Sequence, residues 1–152
     1  INEDQDAVQK FIADARVAFR KLRPEEVAFP RGVSDIEKYT DKTGPDGYTK
    51  GTPIHVRASI LYNQTIINNK LDKKYPLIRS GDKIKFSYLK VPNRIKENVI
   101  AFPDVLPMEL NLENYIDYDM QFNKSYLEPM KHILEAIDWS TEKTNTIEDF
   151  FL

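Results

Sequence analysis

The spacing of apolar residues changes twice along this 152-residue chain, and these changes limit the folds open to it. In the opening DQDAVQKFIADARVAFRKL, apolar residues recur every three or four positions, as on one face of a helix. Residues 83–88, KIKFSY, alternate polar and apolar side chains, which is typical of a strand. Helical spacing returns in ENYIDYDMQFNKSYLEPMKHILEAIDW. This order predicts an α+β fold, mostly helical, with a small antiparallel β insertion at its tip.

Local signals place the predicted elements. Two prolines and a glycine in RPEEVAFPRGV favour an ordered connector without regular structure. Ser34 and Glu37 have the spacing of a capping box, which predicts a short helix from Ser34. Thr52 followed by Pro53 predicts the start of a mostly buried helix, with Ile67 widening its apolar face.

The second half of the chain carries two further signals. The segment NVIAFP is a candidate partner strand for the alternating segment, whose apolar and basic residues should form opposite faces. Because Pro129 has no N–H to donate, we expect a break or kink near Glu128, with Pro129 starting the second piece of the last helical segment.

Composition excludes several kinds of chemistry. The chain has no cysteine and two histidines, so disulfides and thiolate metal sites are excluded and a histidine metal cluster is disfavoured. It contains no phosphate-binding glycine loop and no nucleophile elbow. No apolar run approaches the ~18 residues that span a bilayer. We therefore predict a soluble protein with no membrane partner, and with no catalytic or metal-binding residues in this segment.

Charge is unevenly distributed along the sequence. Residues 70–96 contain nine lysines and arginines against two aspartates, whereas residues 97–119 contain six carboxylates and no lysine or arginine. A run of cations that includes a strand and several aromatic residues favours contact with a polyanion, through phosphates rather than bases. The alternative is an ordinary solvated surface.

The chain ends in TNTIEDFFL, an unusually apolar terminus. One helical turn would bring Ile147, Phe150 and Phe151 to one side as an apolar plug. Behind the polar leader DWSTEKTNT, such a plug is suited to a pocket on another protein. The alternative is a tail that folds back onto its own core.

Four blocks resemble, in order, the C-terminal part of family B replicative DNA polymerases, above all those of T4-like bacteriophages. They are KGTPIHVRASILYN, YPLIRSGDKIKFSYLKVPN, YIDYDMQFNKSYLEPMKHILEAIDW and TIEDFFL. The resemblance implies a palm-edge helix and palm–thumb linker at 1–32, a thumb domain at 33–139 and a flexible clamp-binding tail at 140–152. It implies a fragment or a naturally split subunit that is inactive alone, because the two Mg²⁺ ions and the catalytic aspartates belong to the palm upstream.

The resemblance also implies partners and site residues. The partners are primer–template duplex DNA, a sliding clamp and the N-terminal remainder of the polymerase, in the cytoplasm of an infected bacterial host. The DNA-binding residues are His55, Arg57, Lys83, Lys85, Lys90 and Lys124. The clamp-binding residues are Ile147, Phe150, Phe151 and Leu152.

The sequence is also compatible with two other functions. One is a non-enzymatic adaptor that binds a protein through its tail, with the basic segment as plain surface. The other, weaker hypothesis is a small enzyme that pairs His55 with a carboxylate.

Overall fold

The computed structural model describes residues 2–139, which fall into two compact units. One unit comprises residues 2–22 and 118–139, and the other comprises residues 23–117. Helices and one three-stranded antiparallel sheet make up the regular structure, which confirms the α+β class. The division at 32/33 stays a prediction, and the predicted tail, 140–152, lies outside the described residues.

The first unit is helical. Its elements are α1 (Asn2–Phe19), α5 (Tyr118–Phe122), a π-helical turn (Asn123–Leu127) and α6 (Glu128–Glu135). The Phe19 ring lies edge-on to the rings of Phe122 and Tyr126, with centroids 5.3 and 5.8 Å away. Apolar residues recurring on one face of α1 thus bury Ile12 and Phe19, as the periodicity predicts.

The chain does not break near Glu128, but the helical segment changes there, as expected, from a π turn (Asn123–Leu127) to α6. Glu128 has helical angles, φ −60° and ψ −47°, and its N–H donates to the carbonyl of Asn123, five residues earlier. The chain therefore widens into a π turn and continues as a helix. Pro129 lies in the first turn of α6, one residue after its start at Glu128, which is close to the predicted start of the second piece.

The second unit holds the sheet. Its elements are α2 (Pro24–Val27), β1 (Phe29–Gly32), α3 (Ile36–Tyr39), α4 (Ile54–Asn68), β2 (Lys83–Tyr88), β3 (Val99–Phe102) and 3₁₀ turns at Met108–Leu110 and Glu113–Tyr115. The strand order is β1-β2-β3, and both pairings are antiparallel. Both predicted strands are confirmed, β2 from its alternation and β3 as the partner strand of β2.

The expectation of a connector without regular structure at RPEEVAFPRGV is wrong, because this segment forms α2 and β1. Pro24 suits the first turn of a helix, and the N–H of Arg23 donates to the Glu26 carboxylate at 3.1 Å. β1 exists because it pairs with β2, with Phe29 opposite Phe86. A partner more than fifty residues away leaves no local signal in a four-residue segment.

Helix α4 forms the centre of this unit. It begins at Ile54, with Pro53 as the residue before the helix, one residue later than the predicted start. Val56, Tyr62 and Ile66 are buried, so the mostly buried helix is confirmed. Ile67, predicted on the apolar face, is 51% exposed, because it lies in the last turn, beside exposed residues 68–70.

Two further expectations are corrected. The helix predicted to start at Ser34 begins at Ile36, and no side-chain cap comes from Ser34 or Asp35. The strand predicted to have one wholly basic face also buries Ser87 completely on that face. All four residues of β3 are buried, so both faces of the sheet are covered at this strand. The exposed polar side chains of β2 are therefore restricted to its start.

Candidate nucleic-acid interface

Lys83 and Lys85 lie on one face of β2, because residues two apart in a strand point to the same side. Two residues advance about 6.6 Å along a strand. Lys83 is exposed and Lys85 is half-buried. Neither forms an ion pair with any carboxylate of residues 2–139. This pair of cations is therefore available to an external anion.

Lys90 follows β2 in a segment whose backbone is well anchored. Its N–H donates to the Tyr115 carbonyl at 2.7 Å, and its carbonyl accepts from the Asn93 side chain at 2.9 Å. Its exposed side chain has no ion-pair partner in the described part of the chain. A fixed backbone with a free ammonium group suits phosphate contact.

Arg57 occupies a different environment. Its guanidinium donates to the Glu97 carboxylate at 3.0 Å and to the Asn98 side-chain oxygen at 2.9 Å. The Tyr48 hydroxyl donates to the same carboxylate at 3.0 Å, and burial with this bond raises the pKa of Tyr48. Arg57 thus joins α4 to the segment before β3, and its predicted contact with DNA stays a prediction.

His55 lies in the first turn of α4, half-buried. Burial, and then the positive charge of Arg31, lower the pKa of His55 below its ordinary value of 6.5. The imidazole is therefore neutral at pH 7. The sequence prediction did not include this influence of Arg31, on β1, on His55.

Arg31 is the site residue that sequence reasoning missed. It lies in FPRG, too short a segment to show alternation, and its place beside β2 depends on the long-range register. In the sequence, Arg31 stands out only as an arginine next to Phe29 and Pro30, and this pattern is not specific to binding sites.

Lys124 belongs to the other unit, in the π-helical turn. Its ammonium lies 3.6 Å from the Glu128 carboxylate, and both side chains are largely exposed. Such i,i+4 pairs are weak, so the lysine could exchange this partner for a phosphate.

The acidic segment 97–119 neutralises cations elsewhere in the molecule. Glu97 pairs with Arg57, Glu109 with Lys74 at 3.0 Å, and in the helical unit Asp119 pairs with Arg20 at 2.6 Å. The charge separation seen along the sequence is thus reduced in the fold. Within residues 2–139, the cations left without a carboxylate partner include Lys83 and Lys85 at the start of β2 and Arg31 on β1.

Other kinds of site receive no support from the described residues. Residues 2–139 contain no group of three histidine or acidic side chains able to hold a metal ion. Within the same residues, no helix combines the length and apolarity needed to cross a membrane. The predicted clamp-binding residues Ile147, Phe150, Phe151 and Leu152 lie outside the described part.

The chain is similar to part of the DNA polymerases of two bacteriophages. No family model matches the chain. It is 24% identical over 155 aligned residues to the DNA-directed DNA polymerase of Enterobacteria phage T4, covering 99% of this chain and 16% of that protein. It is 26% identical over 137 residues to the DNA-directed DNA polymerase of Escherichia phage RB69, covering 88% of this chain and 14% of that protein. These similarities relate the chain to one segment of phage DNA polymerases.

Proposed function

We propose that this chain is the thumb part of a phage replicative DNA polymerase, which grips primer–template duplex through its phosphates. The proposal depends on three lysines at the start of β2 and after it, Lys83, Lys85 and Lys90, which have no carboxylate partner within residues 2–139. They belong to a chain that is similar to part of phage polymerases. The partners of the whole polymerase would be duplex DNA and the polymerase's own remaining domains.

Lysine side chains suit a protein that holds DNA without recognising its base sequence. Lysine ammonium groups attract phosphate oxygens but do not distinguish bases. Binding releases condensed counterions, so affinity falls steeply as salt rises. A polymerase must translocate along any sequence, and contacts of this kind permit that movement.

The catalytic step would take place elsewhere in the polymerase. We assign the two divalent metal ions and their aspartates to the palm, outside this segment. The thumb's contribution is to hold the duplex, and a clamp-binding tail at Ile147, Phe150, Phe151 and Leu152 would tether it further by raising effective concentration at the primer end. The site of action would be the cytoplasm of the infected host.

The experiment measures binding of a labelled DNA duplex by fluorescence anisotropy over a range of salt concentrations. Each phosphate contact contributes about 0.9 to the slope of log affinity against log salt. Replacing Lys83, Lys85 and Lys90 with alanine should therefore lower that slope by about 2 to 3. A matched control replaces three exposed lysines elsewhere, Lys10, Lys42 and Lys131, and should change the slope by less than about 1.

Two results would overturn the proposal. One is the absence of duplex binding at low salt, and the other is binding that does not respond to salt. If the chain failed to bind DNA but still bound a protein partner, the adaptor function would replace the thumb function.

A further inference from the structure

The connection between β2 and β3 contains a loop, residues 90–97, that one side chain holds in shape. The Asn93 amide nitrogen donates to two backbone carbonyls, those of Lys90 at 2.9 Å and Glu97 at 2.6 Å. The Asn93 side-chain oxygen accepts from the backbone N–H of Ile95 at 3.0 Å. These three bonds join both ends of the loop to its middle, so Asn93 fixes the backbone of this segment, the β2–β3 loop.

The base of the β2–β3 loop is also anchored to the sheet-containing unit. The N–H of Leu89 donates to the carbonyl of Asn98 at 2.8 Å, which closes the hairpin. The N–H of Lys90 donates to the Tyr115 carbonyl at 2.7 Å, and the Asn98 side chain accepts from Arg57 on α4 at 2.9 Å. The loop therefore presents its side chains from a backbone that is held at both ends.

Three exposed cations of the β2–β3 loop have no carboxylate partner among the described residues. They are Lys90, Arg94 and Lys96, and none of them forms an ion pair within residues 2–139. The loop's one carboxylate, that of Glu97, already pairs with Arg57 at 3.0 Å. The loop therefore concentrates positive charge on a fixed backbone.

Lys96 occupies a backbone conformation that does not favour lysine. Its φ is 57°, in the left-handed region, where a Cβ crowds the following carbonyl oxygen. Glycine adopts this conformation at little steric cost, so the turn by itself would favour glycine at this position. What lysine adds is a positive charge at the surface of the loop, which indicates a role for its side chain outside the turn.

We infer that the β2–β3 loop is a preorganised phosphate-binding element for duplex DNA. Arg94 and Lys96 each contact a backbone phosphate, in addition to the one that Lys90 binds, and Asn93 is the positioning residue that keeps the three cations in place. A loop already fixed in shape loses less conformational entropy on binding, so its contacts contribute more affinity. The inference rests on the proposed function and goes beyond it, because it names two further ligands and a residue that acts through them.

The first test separates the charge of Lys96 from its place in the turn. In the full 152-residue chain, Lys96→Gly removes the charge and relieves the backbone, so thermal unfolding should occur at or above the wild-type temperature. Duplex affinity, measured by anisotropy, should fall, and the slope of log affinity against log salt should decrease by about 1.

The matched control for Lys96→Gly is Lys70→Gly. Lys70 is also exposed and has a φ of 56°, but it follows the C-terminal end of α4, whereas Arg57 meets the loop near the start of that helix. The control removes the same charge from the same backbone conformation. It should leave duplex affinity within about twofold, because no phosphate contact is lost.

The second test asks whether Asn93 acts through the loop cations. Asn93→Ala frees the loop without changing charge, so affinity should fall about tenfold while the salt slope stays near the wild-type value. In a chain that already carries Lys90→Ala, Arg94→Ala and Lys96→Ala, the same Asn93→Ala change should have no further effect on affinity.

Asn111→Ala is the control for a general loss of loop stability. Asn111 is an exposed turn residue whose amide nitrogen donates to the Glu109 carbonyl at 3.3 Å. Its replacement should leave duplex affinity and the salt slope near the wild-type values. Thermal unfolding of every variant accompanies the binding measurements.

Three results would overturn the inference while the thumb function stands. The first is full duplex binding by both Lys96→Gly and Asn93→Ala. The second is an equal loss in Lys96→Gly and Lys70→Gly, since binding would then follow net charge. The third is a loss from Asn93→Ala that persists without the three loop cations, since it would then come from a general effect on the fold. If the wild-type chain bound no duplex at low salt, the proposed function would fail and the inference with it.

Discussion

Ser80 caps a helix that begins 44 residues before it in the sequence. Its hydroxyl accepts from the backbone N–H of Ile36 at 3.0 Å and donates to the Glu37 carboxylate at 2.7 Å. The hydroxyl thus satisfies the first N–H of α3 and at the same time lowers the pKa of Glu37, for which this hydrogen bond is the main cause. The cap of α3 therefore comes from a residue distant in sequence, in place of the local capping box predicted from Ser34.

Removing this hydroxyl tests the relationship. Ser80→Ala should reduce the free energy of unfolding by about 1 kcal/mol, the usual effect of losing a helix cap. It should also move the pKa of Glu37 back toward its ordinary value, which NMR titration would detect. Ser34→Ala is the matched control and should change stability by less than about 0.5 kcal/mol. The reverse ranking would restore the local capping box.

The bond between Arg57 and Glu97 should stabilise the sheet-containing unit. These side chains are only 18% and 20% exposed, and they meet at 3.0 Å. A double-mutant cycle with Arg57→Ala and Glu97→Ala should give a coupling energy of about 1 kcal/mol by urea unfolding. The same cycle on Lys124 and Glu128 should give about 0.3 to 0.5 kcal/mol, because that pair is exposed to solvent. Equal coupling energies would contradict the role of Arg57 in joining α4 to the segment before β3.

His55 should make stability depend on pH in a definite direction. Its folded pKa is lowered from 6.5, so the unfolded chain binds the proton more readily. The contribution of neutral His55 is complete above pH 6.5 and is lost as pH falls from there toward the folded pKa. Between about pH 7.5 and 5, wild type should lose more stability than His55→Gln. A larger loss in the variant would show that the imidazole is stabilised in its charged form.

The tail hypothesis has its own test. Deleting residues 147–152 should leave duplex affinity within about twofold and unfolding free energy within about 0.5 kcal/mol, while abolishing binding to the phage's sliding clamp. The substitutions Phe150→Ala and Phe151→Ala together should give the same result, and Thr141→Ala should not. A stability loss of several kcal/mol on deletion would assign the apolar tail to the protein's own core instead.

The sequence by itself determined the elements whose signal is local. Helix α1 follows from apolar residues at three- and four-residue spacing, and β2 follows from the alternation of Ile84 and Phe86 with lysines. The three-and-four spacing persists through the π turn, which is why the last helices were predicted, and Pro129 marked the place where they meet. The periodicity of side chains along a helix or a strand depends on backbone geometry alone, so these elements can be recognised without knowledge of their contacts.

Tertiary structure alone decided which short segments become regular and which charges stay free. β1 forms because β2 pairs with it, and α3 is capped by Ser80. Among residues 2–139, Lys83 has no carboxylate partner whereas Arg57 pairs with Glu97, although both are cations in amphipathic elements. Pairing and capping depend on groups that are distant in sequence and close in space, so the sequence alone does not reveal which cations of the described residues lack a carboxylate partner.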